Sequence, residues 1–364
     1  MDPPFNEIYK NLLYKQITNT QNNVPQIPFS FSVTVAVEEV ELPVIDVSCL
    51  IDGAEKEREK CKEEIARASR EWGFFQVINH GISMDVLEKM RQEQIRVFRE
   101  PFDKKSKSER FSAGSYRWGT PSATCLRQLS WSEAFHVPMT DISYNKDFTT
   151  LRMNRYPPCP KPSEVYGLMP HTDSDFLTIL YQDQVGGLQL IKDNRWIAVK
   201  PNPCALIINI GDLFQAWSNG VYKSVEHRVM TNPTVERFST AYFLCPSYDA
   251  IIECSGDCPA YRNFSFREFR QQVQEDVKKL GYKVGLPSHE SLQAMEYAFT
   301  RHLRTNDRRN LLSLRIQSFR PLVLQGIREA IDKILCLGSS FESEYYGLSS
   351  VKEGLELAKR IRLG

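Results

Sequence analysis

The sequence lacks any long hydrophobic run. Its longest apolar stretch of note, Ala205–Ile210, is far too short to cross a bilayer and predicts a buried strand instead. The first residues also lack the basic region and apolar core of a signal peptide, because Asp2, Pro3, Pro4 and Glu7 interrupt them. We therefore expect a cytoplasmic protein, with nuclear entry left open, and no membrane partner.

Net charge is also scarce. The 364 residues include 46 Lys and Arg against 45 Asp and Glu, so the formal charge of +1 argues against bulk binding of nucleic acid. With 41% hydrophobic and 25% charged residues, the chain is expected to be globular, with one extended enzyme domain or two smaller ones. The nine cysteines, an odd number spread from Cys49 to Cys336, predict reduced thiols rather than a disulfide framework.

Histidine is rare enough to be compared residue by residue. Only six occur, and only His171 is followed two residues later by a carboxylate, that of Asp173. On an extended chain, residues two apart leave the same face and can reach one metal. Downstream, Ser224–Val229 alternates between apolar and polar residues and places His227 on the apolar face, which predicts that this imidazole points inward as a third ligand.

This set of donors predicts a particular metal. Two imidazoles and one carboxylate on one side leave three positions open, which suits ferrous iron that must bind a cosubstrate and dioxygen, whereas a structural zinc site would want four protein ligands. Ten residues beyond His227, Arg237 and Ser239 share one face of a predicted strand. A guanidinium and a hydroxyl side by side suit one end of a dicarboxylate such as 2-oxoglutarate, whose other end would chelate the iron. A lone His-x-Asp is a weak signal that also occurs in surface turns, but its conjunction with His227 and Arg237-x-Ser239 is strong.

At these separations the motifs resemble the plant 2-oxoglutarate- and Fe(II)-dependent dioxygenases over roughly residues 43–287. The resemblance implies a mainly β fold with flanking helices, in which a double-stranded β-helix, or jelly roll, follows an α/β N-terminal region. It implies that His171, Asp173 and His227 bind Fe(II) and act catalytically through it, while Arg237 and Ser239 bind 2-oxoglutarate. Asn154-Arg155-Tyr156 matches a family strand in which the Tyr contacts the cosubstrate carboxylate, so Tyr156 is either a cosubstrate contact or an ordinary buried aromatic.

Two further segments bear on the substrate. Gln128–His136 and Phe264–Pro287 are similar to the gibberellin 2-oxidases, in particular the subgroup acting on twenty-carbon gibberellins. This likeness implies 2β-hydroxylation of a diterpenoid acid, which inactivates it, with O2 consumed, succinate and CO2 released, and ascorbate as a supporting reductant. The aromatic residues of Tyr116–Pro138 predict a cleft wall with Trp131 and Phe135 as substrate contacts, although packing beneath a loop explains the same composition equally well.

Two other functions stay open. A related plant dioxygenase could oxidise another gibberellin position or another specialised metabolite, because fold and iron site do not determine the substrate. The chain could also be a catalytically silent jelly-roll protein that binds a metal or a ligand.

The chain divides into four predicted segments. Residues 1–40 are expected to be a loosely ordered leader, 41–140 an N-terminal α/β support region, 145–287 the dioxygenase core, and 288–364 an atypical helical tail of unknown role. Within the core, Asn219-Gly220 predicts a tight hairpin turn that sets the register of His227.

Overall fold

The structure is a computed structural model that describes residues 2–14, 37–107, 114–138, 150–254 and 259–290. Two β-sheets form its centre. In chain order the strands are β1 (Glu39–Val40), β2 (Val44–Asp46), β3 (Phe74–Ile78), β4 (Tyr116–Trp118), β5 (Glu133–Pro138), β6 (Thr150–Tyr156), β7 (Tyr166–His171), β8 (Leu177–Gln182), β9 (Leu188–Lys192), β10 (Arg195–Val199), β11 (Leu206–Ile210), β12 (His227–Met230), β13 (Arg237–Leu244), β14 (Ile251–Ile252) and β15 (Phe264–Ser265). The helices are α1 (Phe5–Ile8), α2 (Lys10–Leu13), α3 (Cys49–Asp52), α4 (Glu55–Glu71), α5 (Met84–Phe98), α6 (Phe102–Ser106), α7 (Asp212–Trp217) and α8 (Phe266–Leu280).

The two sheets pack face to face, as a jelly roll requires. The large sheet has the order β2-β3-β11-β8-β13-β6-β5-β4, and the small sheet has the order β1-β10-β9-β12-β7. Between them lies an apolar layer in which Phe74 and Ile207 of the large sheet meet Leu188, Leu190 and Ile197 of the small one. Helices α4 and α5 cover the other face of the large sheet with a second apolar layer. The predicted mainly β fold is confirmed, while residues 291–364 of the predicted helical tail lie outside the described residues.

The large sheet crosses the predicted boundary between support region and core. Strands β2 to β5 come from the predicted support region, and β6, β8, β11 and β13 come from the predicted core. Because β5 pairs with β6 along its whole length, the two segments share one ladder of hydrogen bonds. The predicted support region and the predicted core therefore contribute strands to the same sheet.

The start of the chain differs from the predicted loose leader. Phe5, Tyr9 and Leu13, spaced four apart, are buried together against Trp131, with the rings of Phe5 and Trp131 stacked 4.5 Å apart. Asp2 adds an ion pair to the buried guanidinium of Arg155. Two helices of four residues each are too short to show a clear periodicity in sequence, so only the tertiary contacts reveal that this segment is held in place. Residues 15–36 of the predicted leader lie outside the described ranges.

The turn before His227 also differs from its prediction. Asn219 and Gly220 have the positive φ values expected, 52° and 72°, but they follow helix α7 instead of joining two strands. The backbone N–H of Gly220 donates to the carbonyl of Gln215, which caps the end of the helix. Left-handed residues serve a helix C-terminus as well as a hairpin, so the dipeptide signal was ambiguous. The register of His227 is instead set by its two neighbours, β7 and β9.

Helix α8 shares a hydrophobic cluster with helix α7 and with strands β14 and β15. It begins at an N-cap whose hydroxyl, that of Ser265, accepts from the backbone of Glu268, and it ends at Gly281 in the left-handed conformation. Of its predicted buried stripe, Phe266 and Phe269 are buried and Val273 is partly buried, but Val277 is 50% exposed.

Two predictions from composition can be compared with the described residues. None of the helices in these ranges is both long and apolar enough to cross a membrane. All seven cysteines within the described ranges are free thiols, as their odd number predicts.

Candidate iron and 2-oxoglutarate site

The three predicted metal ligands converge between the sheets. His171 ends β7, His227 begins β12, and the register places the two residues directly opposite one another. Asp173 lies two residues beyond His171, in the loop that leads to β8. The ligand atoms of all three residues lie within 4.8 Å of one another, close enough to share one ion. The structure thus brings together the three residues that the sequence singles out as metal ligands.

Backbone contacts orient both imidazoles. The Nδ1 of His171 lies 2.7 Å from the carbonyl oxygen of Met169, and the Nδ1 of His227 lies 3.1 Å from that of Val225. These contacts assign the proton to Nδ1 and leave the lone pair on Nε2, which is the form that binds a metal. Each Nε2 points at the Asp173 carboxylate, at 3.5 Å from His171 and 3.7 Å from His227. Burial, aided by the adjacent His171, lowers the pKa of His227 to about 4, which keeps its ring neutral.

The Asp173 carboxylate is held by one of its two oxygens. Its Oδ2 accepts hydrogen bonds from the Thr178 hydroxyl at 2.6 Å and from the Asn209 amide at 2.7 Å. Burial by itself raises the pKa of Asp173, whereas hydrogen bonds such as that from the Thr178 hydroxyl lower it, and the resulting pKa lies below the usual range. The group is therefore an ionised carboxylate whose Oδ1 remains directed at the imidazoles, as a metal ligand requires.

The donor set fits iron better than structural zinc. Two nitrogens and one oxygen come from one side, and within the described residues no fourth His, Cys, Asp or Glu joins the group. Three protein ligands with open positions opposite are typical of non-haem Fe(II) sites, whereas structural zinc takes four.

The segment after α8 fastens the loop that carries Asp173. The Lys283 ammonium donates to the carbonyl of Thr172 at 2.8 Å and pairs with Asp212 at 2.5 Å. Asp212 in turn donates its backbone N–H to the carbonyl of Asp173. Helix α8 is thereby connected to the residue between the two nearest ligands, a contact for which the sequence carries no local signal.

Arg237 and Ser239 meet on the inner face of β13, as their spacing predicts. One terminal nitrogen of Arg237 donates to Gln182 at 2.7 Å, and the other lies 3.4 Å from the Ser239 hydroxyl. The Arg237 guanidinium lies 4.9 Å from the ring centre of Tyr156, which is its register partner on β6. The side chains of Arg237, Gln182 and Asn154 each keep one buried polar atom without a hydrogen-bond partner. Buried polar groups are normally paired, so this cluster suits a polar ligand such as a carboxylate.

One strand connects the cluster around Arg237 to the predicted metal ligands. Thr178 and Gln182 lie four residues apart on the same face of β8, which is about 13 Å along the strand. Thr178 contacts Asp173, and Gln182 contacts Arg237. A five-carbon diacid together with the long Arg237 side chain can bridge this separation, with one carboxylate at each end.

The two predicted substrate residues lie elsewhere, and both assignments are corrected. Trp131 is 2% exposed beneath the N-terminal helices, where its indole N–H donates to the carbonyl of Pro158. Phe135 faces the helical layer, 5.4 Å from the ring of Phe98 on α5. Because side chains alternate along a strand, the inward neighbour of Phe135 is His136. The burial of Trp131 and Phe135 in these contacts favours the alternative interpretation, in which they pack beneath other elements.

Several partners of the site were missed in the sequence, namely Thr178, Gln182, Asn209 and Lys283. They reach it from other strands or from the segment after α8, so nothing near the motifs indicates them.

Family comparisons agree with this geometry. Residues 148–246 match the 2OG-Fe(II) oxygenase superfamily, and residues 42–159 match the family described as non-haem dioxygenase in morphine synthesis N-terminal. The gibberellin 2-beta-dioxygenase 8 of Arabidopsis thaliana is 79% identical, over 79% of this chain and 98% of that protein. The gibberellin 2-beta-dioxygenase 6 of Oryza sativa subsp. japonica is 44% identical, over 80% of this chain and 98% of that protein.

Solved structures show the same architecture. The crystal structure of JOX2 in complex with 2OG, Fe and JA is similar at 28% identity and a TM-score of 0.58, covering 74% of this chain and 96% of that one. The dioxygenase for auxin oxidation in rice is similar at 25% identity and a TM-score of 0.57, covering 69% of this chain and 100% of that one. Since relatives in sequence and in structure agree over almost their whole lengths, the chain belongs to the 2OG-Fe(II) oxygenase superfamily, whose members depend on Fe(II) and 2-oxoglutarate.

Proposed function

We propose that the protein is a gibberellin 2-beta-dioxygenase, which hydroxylates and thereby inactivates a gibberellin, most favourably a C20 precursor. One observation carries the proposal. His171, Asp173 and His227 share the interior with the cluster around Arg237, which suits a carboxylate. The chain that carries them is 79% identical to a gibberellin 2-beta-dioxygenase across 98% of that protein.

In this proposal three atoms hold the iron, namely Nε2 of His171, Nε2 of His227 and Oδ1 of Asp173. Bound iron and 2-oxoglutarate supply the oxidising chemistry, in which O2 is consumed and succinate and CO2 are released. The protein orients the donors through Met169 and Val225 and keeps the Asp173 carboxylate ionised by means of its hydrogen bonds. Ascorbate is proposed as the supporting reductant.

The far carboxylate of 2-oxoglutarate is assigned to Arg237, Ser239 and Tyr156. Gln182 and Ser239 contact the two terminal nitrogens of the guanidinium, and its buried Nε–H, which has no partner among the described residues, is available to an incoming oxygen together with a free terminal N–H. A planar guanidinium can hold a carboxylate through two parallel bonds, and this geometry fixes the direction of the diacid toward the metal. Tyr156 covers one face of the guanidinium and excludes water from it.

The proposal is tested with purified full-length protein incubated anaerobically with Fe(II), 2-oxoglutarate and ascorbate, followed by O2 and a panel of gibberellins. We expect succinate to form in step with a 2β-hydroxylated product, identified by mass spectrometry against standards. Succinate with a product hydroxylated elsewhere, or turnover of an unrelated metabolite alone, would favour a related dioxygenase. Binding of iron and 2-oxoglutarate without any succinate would favour a silent binding protein.

The cellular compartment remains part of the proposal. Composition favours the cytoplasm, with nuclear entry open, and a small-molecule substrate rather than nucleic acid. Imaging of a tagged full-length chain in plant cells tests the compartment, and a secreted or membrane-bound pool would contradict it.

A further inference from the structure

A second group of basic side chains lies on the inner face of the large sheet. In the register of β5, β6 and β13, His136 is opposite Arg152, and Arg152 is opposite Ala241. Residues directly opposite on antiparallel strands project from the same face. Two positions along the same strands, Asn154 and Ser239 are opposite each other and hydrogen-bond on the inner face. His136 and Arg152 therefore face the interior that holds the predicted metal ligands.

The charge of Arg152 is not neutralised by the described residues. Within those ranges its guanidinium has no ion pair, and its Nε is buried without a hydrogen-bond partner. The groups close enough to influence the charge of Arg152 are Tyr156, Asp173, which is assigned to the metal, and Arg117, which adds a further positive charge. Arg152 is partly exposed and its charge has no ion-pair partner among the described residues, so an anion beside the guanidinium would gain a charge-assisted hydrogen bond.

The surroundings strengthen this positive character. Arg117, on β4, is opposite Ala134, which is opposite Asn154, so Arg117 belongs to the same face. Burial and the charges of Arg152, Arg117 and Arg270 lower the pKa of His136 to about 2. The imidazole is therefore neutral and can only offer a hydrogen bond.

Arg152 lies on the same inner face as the cluster around Arg237, two residues from Asn154, and provides a second guanidinium there. Arg152 precedes Tyr156 by four residues on β6, which is about 13 Å along the strand. Arg237 also has neighbours of its own, Gln182 and Ser239, which hold its terminal nitrogens. The inner face thus carries two guanidinium groups that can each bind an anion. The far carboxylate of 2-oxoglutarate accounts for the one at Arg237.

We propose that Arg152, with Arg117 and His136 beside it, binds a carboxylate of the substrate and selects the free acid over its neutral ester. The inference rests on the proposed function, because gibberellins are diterpenoid acids. Ala241 and Phe243 follow Ser239 on the same face of β13 and offer an apolar surface to the hydrocarbon skeleton. The structure thereby assigns substrate orientation to a strand that sequence motifs connect only with the cosubstrate.

The test compares a C20 gibberellin with its methyl esters, using full-length enzyme loaded with Fe(II) and 2-oxoglutarate. For the wild type we expect the acid to exceed an ester of the bound carboxylate by ~10- to 100-fold in kcat/KM, as expected for a hydrogen-bonded charge pair. In Arg152→Gln we expect KM for the acid to rise by a similar factor while the preference over the ester disappears. Arg152→Lys, which keeps the charge without the planar fork, should lie between the two.

Matched measurements separate a binding role from a structural one. Arg195→Gln changes an exposed arginine on β10 of the other sheet, and we expect its KM values to equal those of the wild type. In Arg152→Gln the KM for 2-oxoglutarate and the affinity for iron should stay unchanged, and Tm should not fall, because the charge that is removed has no partner among the described residues. If Arg152→Gln does not fold, the acid and its esters are compared in the wild type and in Arg117→Gln instead. Equal kcat/KM for the acid and for every ester in the wild type would overturn the inference.

Failure of the two proposals can be told apart. Absence of gibberellin oxidation by the wild type refutes the proposed function. Gibberellin oxidation with an unchanged acid preference in Arg152→Gln, or with a rise in KM for 2-oxoglutarate instead of the gibberellin, refutes only the role of Arg152.

Discussion

The two hydrogen bonds to Asp173 lead to a measurable prediction about iron. Thr178 and Asn209 both donate to Oδ2, which leaves Oδ1 to face the imidazoles. If these bonds orient the ligand, removing either one lets the carboxylate rotate or share its charge differently. We therefore expect Thr178→Val and Asn209→Ala to bind Fe(II) more weakly while His171 and His227 stay in place.

The expected size follows from the contacts. A hydrogen bond to a charged acceptor contributes about 1.5–3 kcal/mol. Removing a group that orients a metal ligand typically costs 10- to 100-fold in metal affinity, which corresponds to about 1.4–2.8 kcal/mol of binding free energy. We expect each single variant within that range, and the double variant to lose less than the sum because both bonds orient the same carboxylate.

The chain supplies a matched control, Thr240→Val. Thr240 is as buried as Thr178, at 4% and 3% exposure, but it faces helix α5, where its hydroxyl donates to Gln94. Both valine variants lose a buried hydroxyl bond, so both should lose unfolding free energy, about 1 kcal/mol in Thr240→Val and about 1.5–3 kcal/mol in Thr178→Val, whose acceptor is charged. Only Thr178→Val should change the affinity for iron.

The assay is anaerobic titration of Fe(II) into protein saturated with 2-oxoglutarate, followed through the absorption band of the complex, with Tm measured alongside. A weakened Kd for Thr178→Val and Asn209→Ala, with Thr240→Val unchanged, supports the reasoning. Equal iron affinities in all three variants would refute it, since the hydrogen bonds would then serve folding alone.

Three further predictions concern Arg237, Phe135 and the C-terminal segment. Arg237→Gln should raise KM for 2-oxoglutarate by ~100-fold through loss of the charged fork, with iron affinity unchanged; an unaltered KM in steady-state assays would contradict the assignment. Phe135→Leu should lower the unfolding free energy by about 1–1.5 kcal/mol in thermal denaturation without altering KM for the substrate, because the ring faces α5. A changed KM at unchanged Tm would instead identify Phe135 as a substrate contact. A chain ending at Glu290 should keep the activity, as expected for a tail without catalytic residues. A chain ending at Pro287 should have a lower Tm than the chain ending at Glu290, because it lacks the buried His289 that packs on α8. Equal melting of the two truncated chains would refute the role of His289.

The iron ligands were predictable because their signal is local. His171 and Asp173 share a face through spacing alone, and the alternation around His227 points it inward. Arg237 and Ser239 follow the same rule on β13, where hydrogen bonding confirms that they meet. In each case the two-residue alternation of side chains along an extended chain was enough to predict which residues share a face.

Where the prediction was wrong, local sequence was compatible with two structures. Asn219-Gly220 suits both a hairpin turn and the end of a helix, and helix α7 decides between them. Trp131 and Phe135 suit both a cleft wall and a core, and only the neighbours that cover them, Phe5 and Phe98, decide. Propensity and composition do not specify which surface a large aromatic side chain will meet.

The sequence by itself determined the kinds of donor and their faces, because side-chain direction on a strand depends on nothing beyond a two-residue period. It therefore indicated two imidazoles, a carboxylate and an arginine suited to an iron and a keto diacid. Tertiary structure alone decided how those groups are held, through Thr178, Asn209 and Lys283, and which other side chains share their face, such as Arg152. The reason is that strand pairing and helix docking bring together residues far apart in the chain, and no local pattern specifies the register of such a pairing.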